Sequence, residues 1–261
     1  MAGKKRIYYA RTYRRIDMDW IKSIIYACLI IIPCFLLIAL NIDTITGALT
    51  DITVDVLSKV IEPQYIRIHT SEYSIMGEMY YVSLLTTHPT KMMSWCNLCV
   101  CLFVMLLLRL LKRSGNPIAI FANFSIFVHI ISCLFFILIP MWFPYTIGDY
   151  SDIYLKQQIG IWLTFVVLAG MMVAFFGNRG YIFKTLIFLC IILYSVLFGS
   201  VRYILYLFLL HKFSVLYMAL LFFVVGPMFD FSYFVAIYAL FVNKNIKDYS
   251  YGEKKGIWKW S

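Results

Sequence analysis

Between Ile24 and Val242 the chain alternates long apolar runs with short polar breaks. A helix that crosses a bilayer needs about 20 predominantly apolar residues. The pattern predicts six such helices: Ile24–Leu40, Met93–Leu111, Ile118–Pro140, Gln158–Phe176, Tyr181–Leu210 and Phe213–Val242. The last two form one apolar stretch, too long for a single crossing, and divide near His211-Lys212. Runs of this length argue against a transmembrane barrel, whose strands alternate in short segments. The expected fold is an all-α membrane protein, a six-transmembrane-helix bundle with a small external cap between the first two helices.

The cap is residues 41–92, the only long stretch outside the predicted spans. A structureless connection of that length is unusual, so it is expected to fold. Thr50–Ile61 reads as an amphipathic helix, and Tyr65–Ile75 alternates weakly like a strand. Met76–Leu85 is apolar enough to lie on the membrane surface. A second loop, Met141–Gln157, carries Trp142, Tyr145, Tyr150 and Tyr154, the composition of an interfacial aromatic belt. Pro117 suits the first position of a helix. No second domain or internal repeat is visible. The chain reads as one polytopic domain, 1–261, with a basic N-terminus (1–23), the external loop (41–92) and a basic tail (243–261).

Composition agrees: 62% of residues are hydrophobic, which excludes an ordinary soluble domain. The net charge of +10 changes little, because the basic residues gather at helix ends. Clusters at 4–15, 112–113, 179–184 and 244–259 all fall on one side of a six-helix topology. By the positive-inside rule that side, with both termini, is cytoplasmic, and the membrane is the plasma membrane. The basic ends meet anionic lipid, so the lipid bilayer is the expected partner and nucleic acid is not. No cleavable signal is expected, since the first apolar run is too long and lacks a small-residue cleavage site. Seven cysteines, Cys28, Cys34, Cys96, Cys99, Cys101, Cys133 and Cys190, all lie in apolar segments. That argues against a disulfide framework. Cys96-x-x-Cys99 has no second ligand pair, so no metal site is expected.

No phosphate-binding, dinucleotide-binding, zinc-protease or nucleophile-elbow motif occurs, and no cofactor or catalytic residue is expected from motifs. His69, His88, Glu72 and Glu78 in the external loop read as solvated. His129, near Asn123 in the third span, reads as a neutral histidine bonded to a neighbouring helix. His211 marks the turn between the last two spans. The sharper signal is Arg202 and Asp230, two charges inside apolar runs, where a charge is retained only if something stabilises it. At 1.5 Å per residue, Arg202 lies about 15 Å and Asp230 about 27 Å from the turn, so straight helices barely bring them together. A kink at Gly226-Pro227 would let them approach. Otherwise Arg202 snorkels outward and Asp230 faces the fourth span or a partner.

From the fourth span onward the elements follow a set order. Gln157-Gln158-Ile159-Gly160-Ile161 opens the fourth span, and the basic turn Asn178-Arg179-Gly180 follows. Gly199-Ser200-Val201-Arg202 lies in the fifth span, Leu210-His211-Lys212-Phe213 marks the next turn, and Phe222-Phe223-Val224-Val225-Gly226 comes after it. This order resembles the exosortase/archaeosortase family of membrane transpeptidases, with Gly199-Ser200-Val201-Arg202 similar to the family's Asn-x-x-Arg element and Phe222-Phe223-Val224-Val225-Gly226 where a His-to-Gly element belongs. The resemblance covers roughly the last hundred residues. Where the nucleophilic Cys belongs stands Gln158 or Ile159, and where the His belongs stands Phe222 or Phe223. A Cys-based acyl transfer needs a thiolate that neither replacement supplies. The resemblance therefore implies a degenerate member that kept Arg202 and lost the chemistry.

The expected function is a non-catalytic accessory or scaffold subunit of a membrane complex. The resemblance implies exopolysaccharide synthesis or export, with membrane-protein partners such as a polysaccharide synthase. The alternatives are a membrane-embedded transpeptidase or hydrolase with an unusual site, and a small transporter or permease subunit.

Overall fold

The computed structural model describes residues 14–16, 20–110, 117–175, 180–252 and 258–260. The turn Ser114-Gly115-Asn116, the basic pair Lys112-Arg113, Asn178-Arg179 and most of the basic N-terminal segment lie outside the described residues. Among the described residues six helices are long and apolar enough to cross a membrane, and the chain is a multi-pass helical membrane protein. In order they are α1 (Trp20–Leu40), α3 (Lys91–Leu110), α4 (Pro117–Leu138), α5 (Ile147–Phe175), α6 (Tyr181–Phe213) and the segment Leu220–Phe241. That last segment joins a π-helix, Leu220–Val225, to α7 (Pro227–Gly252). Short strands β1 (Arg14–Ile16) and β4 (Trp258–Trp260) pair antiparallel.

The cap between α1 and α3 is a helix and a hairpin. α2 runs Ile42–Ser58, starting well before the predicted Thr50, and buries Ile42, Thr46, Leu49, Thr53 and Leu57. β2 (Ile66–Glu72) and β3 (Glu78–Leu84) form an antiparallel pair. β3 is the stretch expected to lie on the membrane surface. It is instead a strand whose Met79, Val82 and Leu84 are buried against α2 and α5. Its apolar residues serve the cap's own core, so they are not free to meet lipid.

α5 is the axis of the bundle: 61% of its span is buried, against 17–29% for the other five. It packs between α1 and α6, while α3 and α4 form a hairpin that meets the rest at the π-helical turn. The fourth span starts at Ile147, not Gln158, and absorbs most of the Met141–Gln157 loop. Thr146 and Asp149 explain the early start. The Asp149 carboxylate accepts from the Thr146 N–H at 2.7 Å, and the Asp149 N–H donates to the Thr146 hydroxyl at 3.2 Å. Such a reciprocal cap satisfies backbone donors that a helix start leaves open. Tyr150 and Tyr154 are consequently core residues, 3% and 2% exposed, and only Trp142 and Tyr145 stay on the surface. At the other end of α5, buried Lys184 donates to the Ala174 carbonyl at 3.1 Å, covering one of the acceptors a helix end leaves open.

The last span is also not one continuous element over Phe213–Val242, and its break includes the expected kink at Gly226-Pro227. After α6, a 3-10 turn at Val215–Tyr217 leads into the π-helix, and Gly226 breaks the ladder with φ −71° and ψ −101°. A Cβ at Gly226 would lie 2.4 Å from the Phe222 carbonyl oxygen, so the break accommodates only glycine without movement. α7 then begins at Pro227, where a missing N–H costs least.

Candidate functional site, a buried arginine cage

The break in the last span decides the geometry of the two intramembrane charges. A π-helix closes its ring over five residues, and the non-helical Gly226 adds a bend, so the chain climbs less than a straight helix would. Arg202 and Asp230, expected at different depths, meet directly. Nη2 of Arg202 donates to Oδ2 of Asp230 at 2.6 Å, with the side chains 4% and 0% exposed.

A guanidinium has five N–H donors, and here each finds an acceptor. Nε donates to the Tyr154 hydroxyl at 2.6 Å, and Nη2 also donates to Oε1 of Gln158 at 2.6 Å. Nη1 donates to the Gly226 carbonyl at 2.9 Å and the Val225 carbonyl at 3.4 Å. The last two are available because the helix is broken there, which ties the kink chemically to the charge. The rings of Tyr154, Phe198 and Tyr206 lie 5.6, 5.6 and 6.0 Å from the guanidinium carbon, within cation–π range. Tyr233 stands beside the Asp230 carboxylate and donates to the Ser195 hydroxyl at 2.7 Å. Gly199, one turn before Arg202, leaves room for the amide: a Cβ there would lie 2.6 Å from Nε2 of Gln158. The hydroxyls of Tyr150 and Tyr206 and Nε2 of Gln158 are buried and have no hydrogen-bond partner among the described residues.

Beside the cage, a cavity of about 350 Å³ is lined by Phe143, Tyr145, Tyr150, Ile153, Met218 and Phe222, among others, and is almost wholly apolar. The ring of Tyr150 meets Phe222 edge-on at 6.0 Å.

The other candidates fall elsewhere. His129 is buried on α4 and stacks on Tyr217 at 4.8 Å, but neither ring nitrogen has a hydrogen-bond partner among the described residues. The expected bond to a neighbouring helix is thus replaced by a ring stack. Asn123 is half-buried on the same helix and takes no part in the cage. His211 has a structural task at the end of α6. Its Nδ1 donates to the Leu85 carbonyl at 2.8 Å, tying α6 to the cap. In the cap, His69 stacks on Tyr81 at 5.5 Å, and Glu72 and Glu78 are exposed. The seven cysteines are free thiols in helices, and no group of three metal-ligating side chains occurs among the described residues.

Tyr154, Gln158, Phe198 and Tyr206 were not identified from the sequence as partners of Arg202. The signal for Tyr154 and Gln158 is the series Ile147, Tyr150, Ser151, Tyr154, Leu155, Gln158, Ile159, Trp162, spaced three and four apart, every member buried, whereas Phe198 and Tyr206 lie on α6, outside it. No protein-family model matches the chain, no curated protein matches it, and no solved structure matches it.

Proposed function

We propose that this chain is a non-catalytic accessory subunit of a membrane complex, with an exosortase-like core that has lost its chemistry. The observation that carries the reading is the saturation of Arg202. An arginine that binds an anionic substrate keeps donors free for it, whereas all five donors here meet acceptors of the same chain. The residues in the positions of the family's nucleophile and histidine support the same reading. Gln158 lies against Arg202, and Phe222 lines the apolar cavity beside Tyr150. An amide and a phenyl ring in those places perform no acyl transfer. The exopolysaccharide connection, with a synthase or exporter as partner, follows from the resemblance alone. The basic clusters support a plasma-membrane protein with both ends in the cytoplasm, and the pairing of β1 with β4 supports both ends on one side.

The test is purification of the tagged chain from its native membrane in mild detergent. The expected result is a membrane protein present in fixed ratio, whose loss lowers the level of this chain. A chain that runs alone and cleaves or transfers a peptide in vitro would overturn the reading. Flux of a solute through proteoliposomes holding only this chain would favour the permease instead. Thiol labelling of Met141→Cys, at a position 93% exposed and with the native cysteines replaced by serine, tests the orientation, and reaction only from the cytoplasmic side would reverse it.

A further inference from the structure

The β2–β3 hairpin has two outer edges, and the protein treats them differently. Tyr73 N–H donates to Gly77 O, and Leu85 N–H to Tyr65 O, so the odd-numbered residues of β2 face β3. The even-numbered residues of both strands therefore turn their N–H and C=O groups away from the ladder. On β3 this edge is closed by side chains. Tyr80 N–H donates to the Thr46 hydroxyl at 3.1 Å, and Val82 N–H to the Tyr203 hydroxyl at 3.0 Å. On β2 the equivalent groups of Ile68, Thr70 and Glu72 have no partner among the described residues, and all three residues are exposed. Proteins usually blunt such an edge, because it is a template for another strand.

We propose that the outer edge of β2 is the docking site for an extended, basic segment of a partner protein, added as a third strand. The inference rests on the accessory-subunit reading and names the surface it would use. Two features of the edge describe the occupant. Ile68 lies in register with Val82 and on its face of the sheet, yet it is 53% exposed beside a residue that is fully buried. An added strand would continue that row with an apolar side chain, and so would alternate apolar and polar residues. At the hairpin end, Glu72 and Glu78 stand directly opposite each other, and neither has an ion-pair partner among the described residues. Like charges in cross-strand register repel. The wider cap is acidic too: Asp43, Asp51, Asp55, Glu62, Glu72 and Glu78 stand against Lys59, Arg67 and Lys91, and Lys59 is already bound to Asp55. A lysine or arginine on the incoming strand complements this end. Recognition of backbone groups by strand addition gives affinity, and the alternating side chains give selectivity.

The probe is a fluorescent seven-residue peptide that alternates valine with threonine and carries a lysine at each end. A control peptide has glutamate in place of both lysines. Binding is measured by polarisation on the full chain in detergent. The wild type is expected to bind the basic peptide and not the acidic one. Thr70→Pro removes one outward N–H and leaves every β2–β3 bond in place, so it should weaken binding at least tenfold. Glu72→Lys leaves the backbone untouched and should shift preference toward the acidic peptide. Equal binding by wild type and both variants, or no binding at millimolar peptide, would overturn the proposal. A wild-type dimer that Thr70→Pro converts to a monomer would also overturn it, by assigning the edge to a second copy of the chain. The peptide assay needs no native partner. A negative result there, with a partner still co-purifying, removes the edge and leaves the accessory role standing.

Discussion

Replacing Arg202 by leucine is the most informative perturbation of the cage. The change strands the Asp230 carboxylate, which is 0% exposed, and removes the donor that four further side-chain or carbonyl groups rely on. Removing one partner of a buried ion pair costs about 3–5 kcal/mol, and Arg202→Leu belongs at the upper end because of those additional acceptors. Asp230→Leu strands only one of five N–H groups, the others keeping Tyr154, Gln158, Val225 and Gly226. It belongs at the lower end, near 3 kcal/mol. Independent effects would sum to about 7–8 kcal/mol. In the double variant neither charge is buried, so the loss should fall back to about 2–4 kcal/mol. At roughly 2–4 °C per kcal/mol for a chain near this size, the double variant should melt at least 6 °C above the additive expectation. The assay is thermal unfolding of both single variants and the double in one detergent. Single losses that add to within about 0.5 kcal/mol would refute the coupling and the structural role assigned to the pair.

Two further outcomes follow from the same geometry. Gly226→Ala drives a Cβ into the Phe222 backbone oxygen at 2.4 Å, whereas Gly199→Ala meets only the movable Gln158 amide at 2.6 Å. The first should lower the melting temperature by the larger amount, about 2–3 kcal/mol against about 1 kcal/mol, and the reverse order would contradict the requirement for a glycine at the break. Thr146→Ala removes the reciprocal cap of α5 and should cost about 1 kcal/mol, which Thr146→Ser should restore in the same melting assay.

The six spans were legible because each is an uninterrupted apolar run, and the two intramembrane charges were legible because they interrupt such runs. The start of α5 was not, for a compositional reason. Its first three turns hold Asp149, Asp152, Lys156 and two tyrosines, which resemble an interface when only polarity is counted. Their three-four spacing and the Thr146-x-x-Asp149 cap carry the opposite message, and the structure follows the spacing. The meeting of Arg202 with Asp230 was open in the sequence because a straight helix separates them. The bend at Gly226 is marked by Gly226-Pro227, but the π-helix that removes the rest of the separation has no composition of its own. β3 looked like a surface-lying segment because apolar content alone does not distinguish lipid from a small private core. The bonds from Arg202 to Tyr154 and Gln158 lie wholly in tertiary contact, 48 and 44 residues apart along the chain, and no local pattern announces them.

The cage also sets the rotation of α6, and this yields a last prediction that a purely energetic role would not. Tyr203 follows Arg202 directly, and its hydroxyl accepts from Val82 N–H at 3.0 Å and bonds the Ser151 hydroxyl, closing the inner edge of the cap hairpin. A tyrosine hydroxyl lies roughly 9 Å from its helix axis, so a 20° turn of α6 moves it by roughly 3 Å, the length of the bond itself. Lipid-facing leucines resist such a turn weakly, because one apolar contact replaces another. Five directional bonds from Arg202 to α5, the π-helix and α7 do not permit it. The variant with leucine at both 202 and 230 should therefore recover much of its melting temperature and still lose cap order. Hydrogen exchange at the Tyr80 and Val82 amides is the readout. Both are bonded to side chains outside the hairpin, but only Val82 depends on α6, while Tyr80 depends on Thr46 of α2. Faster exchange at Val82 with Tyr80 unchanged is the expected result. Wild-type protection at both amides in the double variant would mean that packing alone orients α6, and that the ion pair fixes nothing beyond itself.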